Sequence, residues 1–124
     1  MVKDQNKRQE LSVVLATFNE EKNLPECLNS VRNLADEIII VDGSSIDKTV
    51  GIAKSYGAKV VVAKNLPNFH INKQKAIDLA TKDWILQLDA DERVTPELAK
   101  EIKDKIGNWK LEIGNSVNGY WVTR

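Results

Sequence analysis

One cysteine, one histidine and three prolines in 124 residues remove several classes of function at the outset. The lone Cys27 excludes an intrachain disulfide and suits a reducing compartment. It falls on the apolar face of an expected helix and reads as core rather than nucleophile. His70 stands in an expected loop with no cysteine or second histidine beside it, so no zinc site is read. Charge of one sign is also missing: 18 basic and 18 acidic residues give a net charge of zero. No global field exists to hold nucleic acid or an anionic membrane, and any attraction for phosphate must be local. No apolar run approaches the ~18 residues of a membrane span, so no transmembrane segment is expected. Residues 1–10 are polar and charged, lack the apolar middle of a secretory signal, and read as a flexible tail. These absences point to a cytoplasmic protein. No internal repeat and no low-complexity segment is present.

What remains is ordinary for a globular chain, with 42% hydrophobic and 29% charged residues. Its pattern alternates. Leu11 to Thr17 is a short apolar run that predicts a buried strand. Leu24, Cys27, Leu28, Val31 and Leu34 follow helical spacing, with Pro25 tolerable in the first turn. Glu37 to Asp42 is β-branched, the mark of a strand covered on both faces. Ser45 is placed to cap a helix from Ile46 to Tyr56, which Gly57 ends. Lys59 to Ala63 is a third strand, a helix from Asn72 to Ala80 follows, and Asp83 to Leu88 is a fourth strand. Thr95 and Pro96 open another helix, with Leu98, Ile102 and Ile106 as its buried stripe. Trp109 lies in a polar connection, and Gly119 to Arg124 reads as a last strand. Trp84 and Trp121 are expected in the core.

Alternating strands and helices with near-continuous apolar strands argue for an α/β fold: a mostly parallel sheet with helices on both faces. We expect strand order 3-2-1-4, a Rossmann-like arrangement. Right-handed crossovers put the carboxyl ends of the parallel strands along one edge, where ligands of such sheets bind. Three loops then present polar or acidic groups there: Thr17-Phe18-Asn19-Glu20-Glu21, Asp42-Gly43-Ser44-Ser45 and Asp89-Ala90-Asp91. The last is an Asp-x-Asp motif, with Glu92 next to it as a supporting acid or a residue of the approach to the next helix. Carboxylates this close repel unless a cation or a set of donors lies between them. Mg²⁺ and Mn²⁺ take oxygen ligands, and Mg²⁺ commonly uses one or two carboxylates plus substrate phosphates. Asp47 fits a helix N-terminus; Lys75 and Asp104 read as surface.

Together these segments resemble the nucleotide-binding half of the family 2 glycosyltransferases with the GT-A fold. The matching elements are Val13-Val14-Leu15-Ala16-Thr17-Phe18-Asn19-Glu20-Glu21, Ile40-Val41-Asp42-Gly43-Ser44-Ser45-Ile46-Asp47-Lys48-Thr49, Asn72-Lys73-Gln74-Lys75-Ala76 and Asp89-Ala90-Asp91-Glu92. Within the family, the likeness is greatest to bacterial enzymes that add glucose to the lipopolysaccharide inner core. The resemblance implies an inverting transferase that moves a sugar from a nucleotide-diphosphate sugar, with UDP as the expected nucleotide, to a glycan or lipid-linked acceptor of the cell envelope. It implies that Thr17, Asn19 and Glu20 line the nucleotide pocket and that Asp42 accepts from uracil or ribose. Lys73 would reach the base or diphosphate. Asp89 and Ala90 would meet the ribose and sugar, and Asp91, with Asp89, would hold Mg²⁺ or Mn²⁺. A family enzyme of this kind can also work at the inner face of a membrane.

The chain departs from the family in places. Asp42-Gly43 stands where two acids are common, Lys48 where glycine is frequent, Gln74 where asparagine is, and Ala16 where proline is. Residues 11–124 are read as the donor-binding domain, ending before the region that carries the acceptor site and the general base. The alternative is a donor-binding module without catalysis. Two further rivals are a nucleotidyltransferase, which wants a glycine-rich basic loop where this chain has Phe18-Asn19-Glu20-Glu21, and a receiver-like domain, whose phosphate acceptor would be Asp42.

Overall fold

The computed structural model describes residues 9–64, 69–107 and 121–123. Among these residues, five strands, β1 (Leu11–Thr17), β2 (Glu37–Asp42), β3 (Lys59–Val62), β4 (Trp84–Gln87) and β5 (Trp121–Thr123), form one sheet ordered β3-β2-β1-β4-β5. The first four are parallel, in the expected 3-2-1-4 order, and β5 adds an antiparallel edge against β4. The chain steps outward from β1 to β2 and β3, then returns to the other side of β1 as β4. The order therefore reverses between β1 and β4.

Among the described residues, helices α1 (Leu24–Val31), α2 (Thr49–Ser55) and α3 (Phe69–Leu79) lie between successive parallel strands, and α4 (Pro96–Gly107) follows β4. The two-residue alternation of strand side chains divides the core into two layers. Leu11, Val13 and Leu15 of β1 join Ile38 and Ile40 of β2 and Trp84 and Leu86 of β4 in one layer, beneath Leu28 of α1, Ala53 of α2 and Ile102 of α4. Val14, Ile39, Val41 and Ile85 point the other way, against Ala76 of α3 and Ala80 just beyond it. Every residue of β1 and β2 is buried, as strands covered on both faces require. β3 lies at the sheet edge and leaves Val61 and Val62 exposed, so its apolar run is not matched by burial.

Element boundaries shift where local chemistry competes with pattern. Pro25 sits in the first turn of α1, where its missing N–H has no intrahelical acceptor to lose. Ser45 does not cap α2. Its hydroxyl donates to Asp42 instead, and the helix starts at Thr49, with Asp47 accepting the Thr49 N–H at 2.9 Å. Gly57, at φ +79°, ends that helix, a conformation glycine adopts without steric penalty. α3 begins at Phe69, so His70, expected in a loop, lies in a helical first turn and is exposed. Thr95 caps α4 as expected, its hydroxyl oxygen accepting the Leu98 N–H at 3.1 Å. Trp84 is core, as expected. Trp109 and the side chain of Trp121 lie outside the described residues.

A buried clasp closes the amino ends of the strands. Glu37 accepts from the Ser12 hydroxyl at 2.6 Å, the Thr81 N–H at 2.7 Å and Lys59 at 3.1 Å. Burial alone would raise its pKa, but these donors, with the Thr81 hydroxyl, lower it from 4.5 to about 2. Glu10, placed at the end of the tail by the sequence, is tied to the same end of the sheet: its N–H donates to Asp83 at 2.9 Å and its carbonyl accepts from Trp84 at 3.0 Å.

Candidate functional site

The parallel order brings the ends of β1, β2 and β4 to one edge. Two loops there are bonded into a single unit. Thr17 and Asp42, paired in register across β1 and β2, are both fully buried. Asp42 Oδ1 accepts from the Thr17 and Ser45 hydroxyls, each at 2.7 Å, and Oδ2 accepts the Ser45 N–H at 2.7 Å. The Ser45 oxygen in turn accepts the Asn19 N–H at 2.8 Å, and Asn19 Oδ1 accepts the Ile46 N–H at 2.9 Å. The Glu20 N–H donates to the Thr49 hydroxyl at 2.8 Å. These cross-links hold Asn19 at φ +52° and Ser44 at φ +64°. Both are left-handed conformations that β-carbon-bearing residues rarely adopt and that surrounding contacts must sustain.

Asp47 completes the unit. It accepts from the Thr49 hydroxyl and N–H and from the Glu21 N–H at 3.2 Å. The slight burial of Asp47 opposes the charged form, but these donors outweigh it and hold its pKa below the ordinary carboxylate value. Glu21 reciprocates, accepting the Lys48 N–H at 3.1 Å.

The second part of the edge is the turn after β4. The Glu92 N–H donates to the Asp89 carbonyl at 2.9 Å, closing a tight turn, and Glu92 Oε1 accepts the Asp89 N–H at 2.8 Å. Ala90 is 3% exposed and packs into the core, whereas Asp91 faces solvent. The small middle residue is thus the turn's anchor. Lys73 reaches over from α3, placing Nζ 3.1 Å from Asp89 Oδ1. This is an ion pair by distance that lacks hydrogen-bond alignment, and Oδ1 is shielded from water without a hydrogen-bond partner.

The structure therefore gathers the expected residues in two groups: Thr17, Asn19, Glu20 and Asp42 around the β1 and β2 loops, and Lys73, Asp89, Ala90 and Asp91 around the β4 turn. It also separates their roles. Asp42 has no exposed surface and spends its acceptor sites on the chain, so direct contact with a base or ribose is not available in this conformation. The same burial leaves no accessible acceptor for a receiver-type phosphorylation. The Ala90 methyl group faces inward. Sequence pattern missed Arg93, whose Nη1 donates to the Ala90 and Glu92 carbonyls, each at 3.0 Å.

Among the described residues, no three histidine, cysteine or acidic side chains are grouped to hold a metal ion. The donor set at the turn is two carboxylates, one of them carrying a shielded oxygen that accepts no hydrogen bond and lies 3.1 Å from the Lys73 ammonium. That fits a hard divalent cation whose remaining ligands come from phosphate and water.

The chain belongs to the glycosyltransferases of family 2: its residues 12–123 match the family described as Glycosyl transferase family 2. It is 47% identical over 96 residues to a protein named as an uncharacterized glycosyltransferase of Rickettsia bellii, covering 77% of this chain and 31% of that one. Among solved structures, S. aureus TarS superposes with a TM-score of 0.70 at 27% identity, over 80% of this chain and 20% of that one. TarS residues 1–349 in complex with UDP superpose with a TM-score of 0.64 at 25% identity, over 93% of this chain and 38% of that one. The chain thus spans about a third of the length of the curated relatives it matches.

Proposed function

We propose that this chain is the donor-binding part of an inverting glycosyltransferase that takes a sugar from a nucleotide-diphosphate sugar, with UDP as the nucleotide. One observation carries the reading: Asp89 and Asp91 stand on the same sheet edge as the interlocked Thr17–Glu20 and Asp42–Thr49 loops, across the point where strand order reverses. Family membership and the UDP complex of TarS support it.

The residues take distinct parts. The β1 and β2 loops form a preorganised floor for the nucleoside, with Asn19 and Glu20 at its surface and Thr17 and Asp42 beneath. Asp91 and Asp89 would hold Mg²⁺ or Mn²⁺ beside the diphosphate. That ion would supply Lewis-acid stabilisation for the negative charge that grows on the leaving phosphate. Lys73 keeps Asp89 in place and offers a cation to the same phosphates. In the transfer, an acceptor hydroxyl oxygen bonds to the anomeric carbon as the bond to phosphate breaks. The hydroxyl proton passes to a general base and the nucleoside diphosphate departs. No described residue is assigned as that base.

The acceptor we propose is a glycan or lipid-linked saccharide of the cell envelope, with glucose addition to lipopolysaccharide core as the particular case the sequence resemblance favours. No described helix is long and apolar enough to cross a membrane. The proposal places the protein in the cytoplasm, peripheral to the inner membrane face where such acceptors are presented.

Calorimetric titration with UDP-, GDP- and TDP-sugars, with and without Mn²⁺, tests donor binding, and a separate assay with candidate acceptors tests transfer. Metal-dependent UDP-sugar binding is expected. Binding without turnover on any acceptor would leave the donor-binding module. Indifference to every nucleotide with Mn²⁺ present would end the reading.

A further inference from the structure

The Asp89–Asp91 turn does not stand on its own backbone bonds alone. Helix α1, from a distant part of the sequence, grips it at three successive points. The Cys27 thiol lies 3.7 Å from the Asp89 carbonyl oxygen. Arg93 Nη1 bridges the Ala90 and Glu92 carbonyls while its Nε lies 3.4 Å from Glu26 Oε2. The Ser30 hydroxyl oxygen accepts the Val94 N–H at 3.0 Å.

Arg93 is the centre of this grip. A guanidinium is planar, always charged and carries its donors in a fixed fork, so it can span two carbonyls and a carboxylate at once. The two carbonyls flank Asp91, the exposed acid of the turn. The Ala90 carbonyl belongs to the peptide entering Asp91 and the Glu92 carbonyl to the peptide leaving Glu92, so the pair of bonds restricts the backbone across Asp91 and Glu92 together. Nothing else among the described contacts bonds those two carbonyls.

We infer that Arg93 is a positioning residue that, backed by Glu26, holds Asp91 and Asp89 in the arrangement needed for the divalent cation. The inference rests on the donor-site reading. Residues that orient metal ligands from behind commonly change metal affinity by roughly 10–100-fold when removed. Arg93 touches neither phosphate nor sugar in this scheme; it acts through the turn.

The test uses the full chain with Mn²⁺ and UDP as probes. Mn²⁺ affinity is read by electron paramagnetic resonance, and amide hydrogen exchange at Asp91 and Glu92 is read without metal. Arg93→Ala is expected to weaken Mn²⁺ binding at least tenfold and to speed exchange at both amides, leaving metal-free UDP binding unchanged. Arg93→Lys keeps the charge but not the fork, and should recover only part of each loss. Glu26→Gln, at a largely exposed position, should shift both readouts in the same direction by a smaller factor. It keeps the test alive if Arg93→Ala fails to fold. Unchanged Mn²⁺ affinity and exchange in Arg93→Lys and Glu26→Gln overturn the inference while leaving the donor site standing. Absence of Mn²⁺ binding by the unaltered chain overturns the donor-site reading, and this inference with it.

Discussion

Asp42 and Asp91 both follow apolar strands, yet their surroundings give them opposite tasks. Asp42 is sealed under two loops and accepts from Thr17 and Ser45. Asp42→Ala would strand two hydroxyls and an N–H, and an unsatisfied buried donor costs roughly 1–3 kcal/mol. We expect a loss of about 3 kcal/mol in urea unfolding, together with loss of UDP binding as Asn19 is released. A change below about 0.5 kcal/mol would mean that the loops hold themselves. Asp91 is exposed and bonds to nothing the fold requires. Asp91→Asn should therefore leave the unfolding midpoint unchanged within error and abolish the metal-dependent part of UDP binding; an equal metal response in the variant would remove Asp91 from the site. The sequence showed both acids at the edge, since strand ends and acidic loops are local patterns. It could not show which acid is spent on the chain, because the partner hydroxyl of Thr17 lies 25 residues from Asp42. Arg93 was hidden for a related reason: a surface arginine looks alike in sequence whether it meets water or carbonyls.

At the scale of elements, periodicity gave type and order, and side-chain competition moved the ends. α2 starts later than its residue pattern suggests because the oxygen of Ser45, a good cap by residue type, already accepts the Asn19 N–H while its hydroxyl is held by Asp42. The α4 start follows residue type because the Thr95 oxygen is left to accept the Leu98 N–H. Thr95→Ala should accordingly cost about 1 kcal/mol, measured by thermal or urea unfolding. The β1–β2 clasp at Glu37 carries a pH signature. Its folded pKa, about 2, is below the ordinary 4.5. A depressed carboxylate stabilises the fold above the unfolded value, and that contribution fades as pH falls through the folded one. Its size is roughly 3 kcal/mol from the shift. Stability of the chain should fall between pH 4.5 and 2, and Glu37→Gln should lower stability at neutral pH and flatten that part of the profile. A Glu37→Gln curve parallel to the parent across this window would place the acid sensitivity elsewhere. Burial of this glutamate is invisible in sequence, where it is simply the first residue of a β-branched run.

For the whole molecule, the parallel order and the shared carboxyl edge follow from alternation and handedness, which is why they were legible without coordinates. The antiparallel β5 and the exposure of β3 were not, because both depend on what lies beside the sheet rather than on the strands themselves. The sheet's reversal point divides the site into two bodies. The β1 and β2 loops are locked to each other, and the β4 turn is locked to α1 and paired through Asp89 with Lys73 of α3. In the proposed site a nucleotide with a metal ion would touch both bodies, whereas a nucleoside would need only the first. A ligand that binds only the folded state at 100 times its dissociation constant adds about 2.7 kcal/mol of stability. UDP with Mn²⁺ at that saturation should raise chain stability by about this amount and slow amide exchange at both Asn19–Ile46 and Asp89–Glu92. Uridine alone should protect the first group and leave the second unchanged. If UDP with Mn²⁺ protected only the loops after β1 and β2, the nucleotide would be seated without the β4 acids, and the bridging role of the cation would be lost.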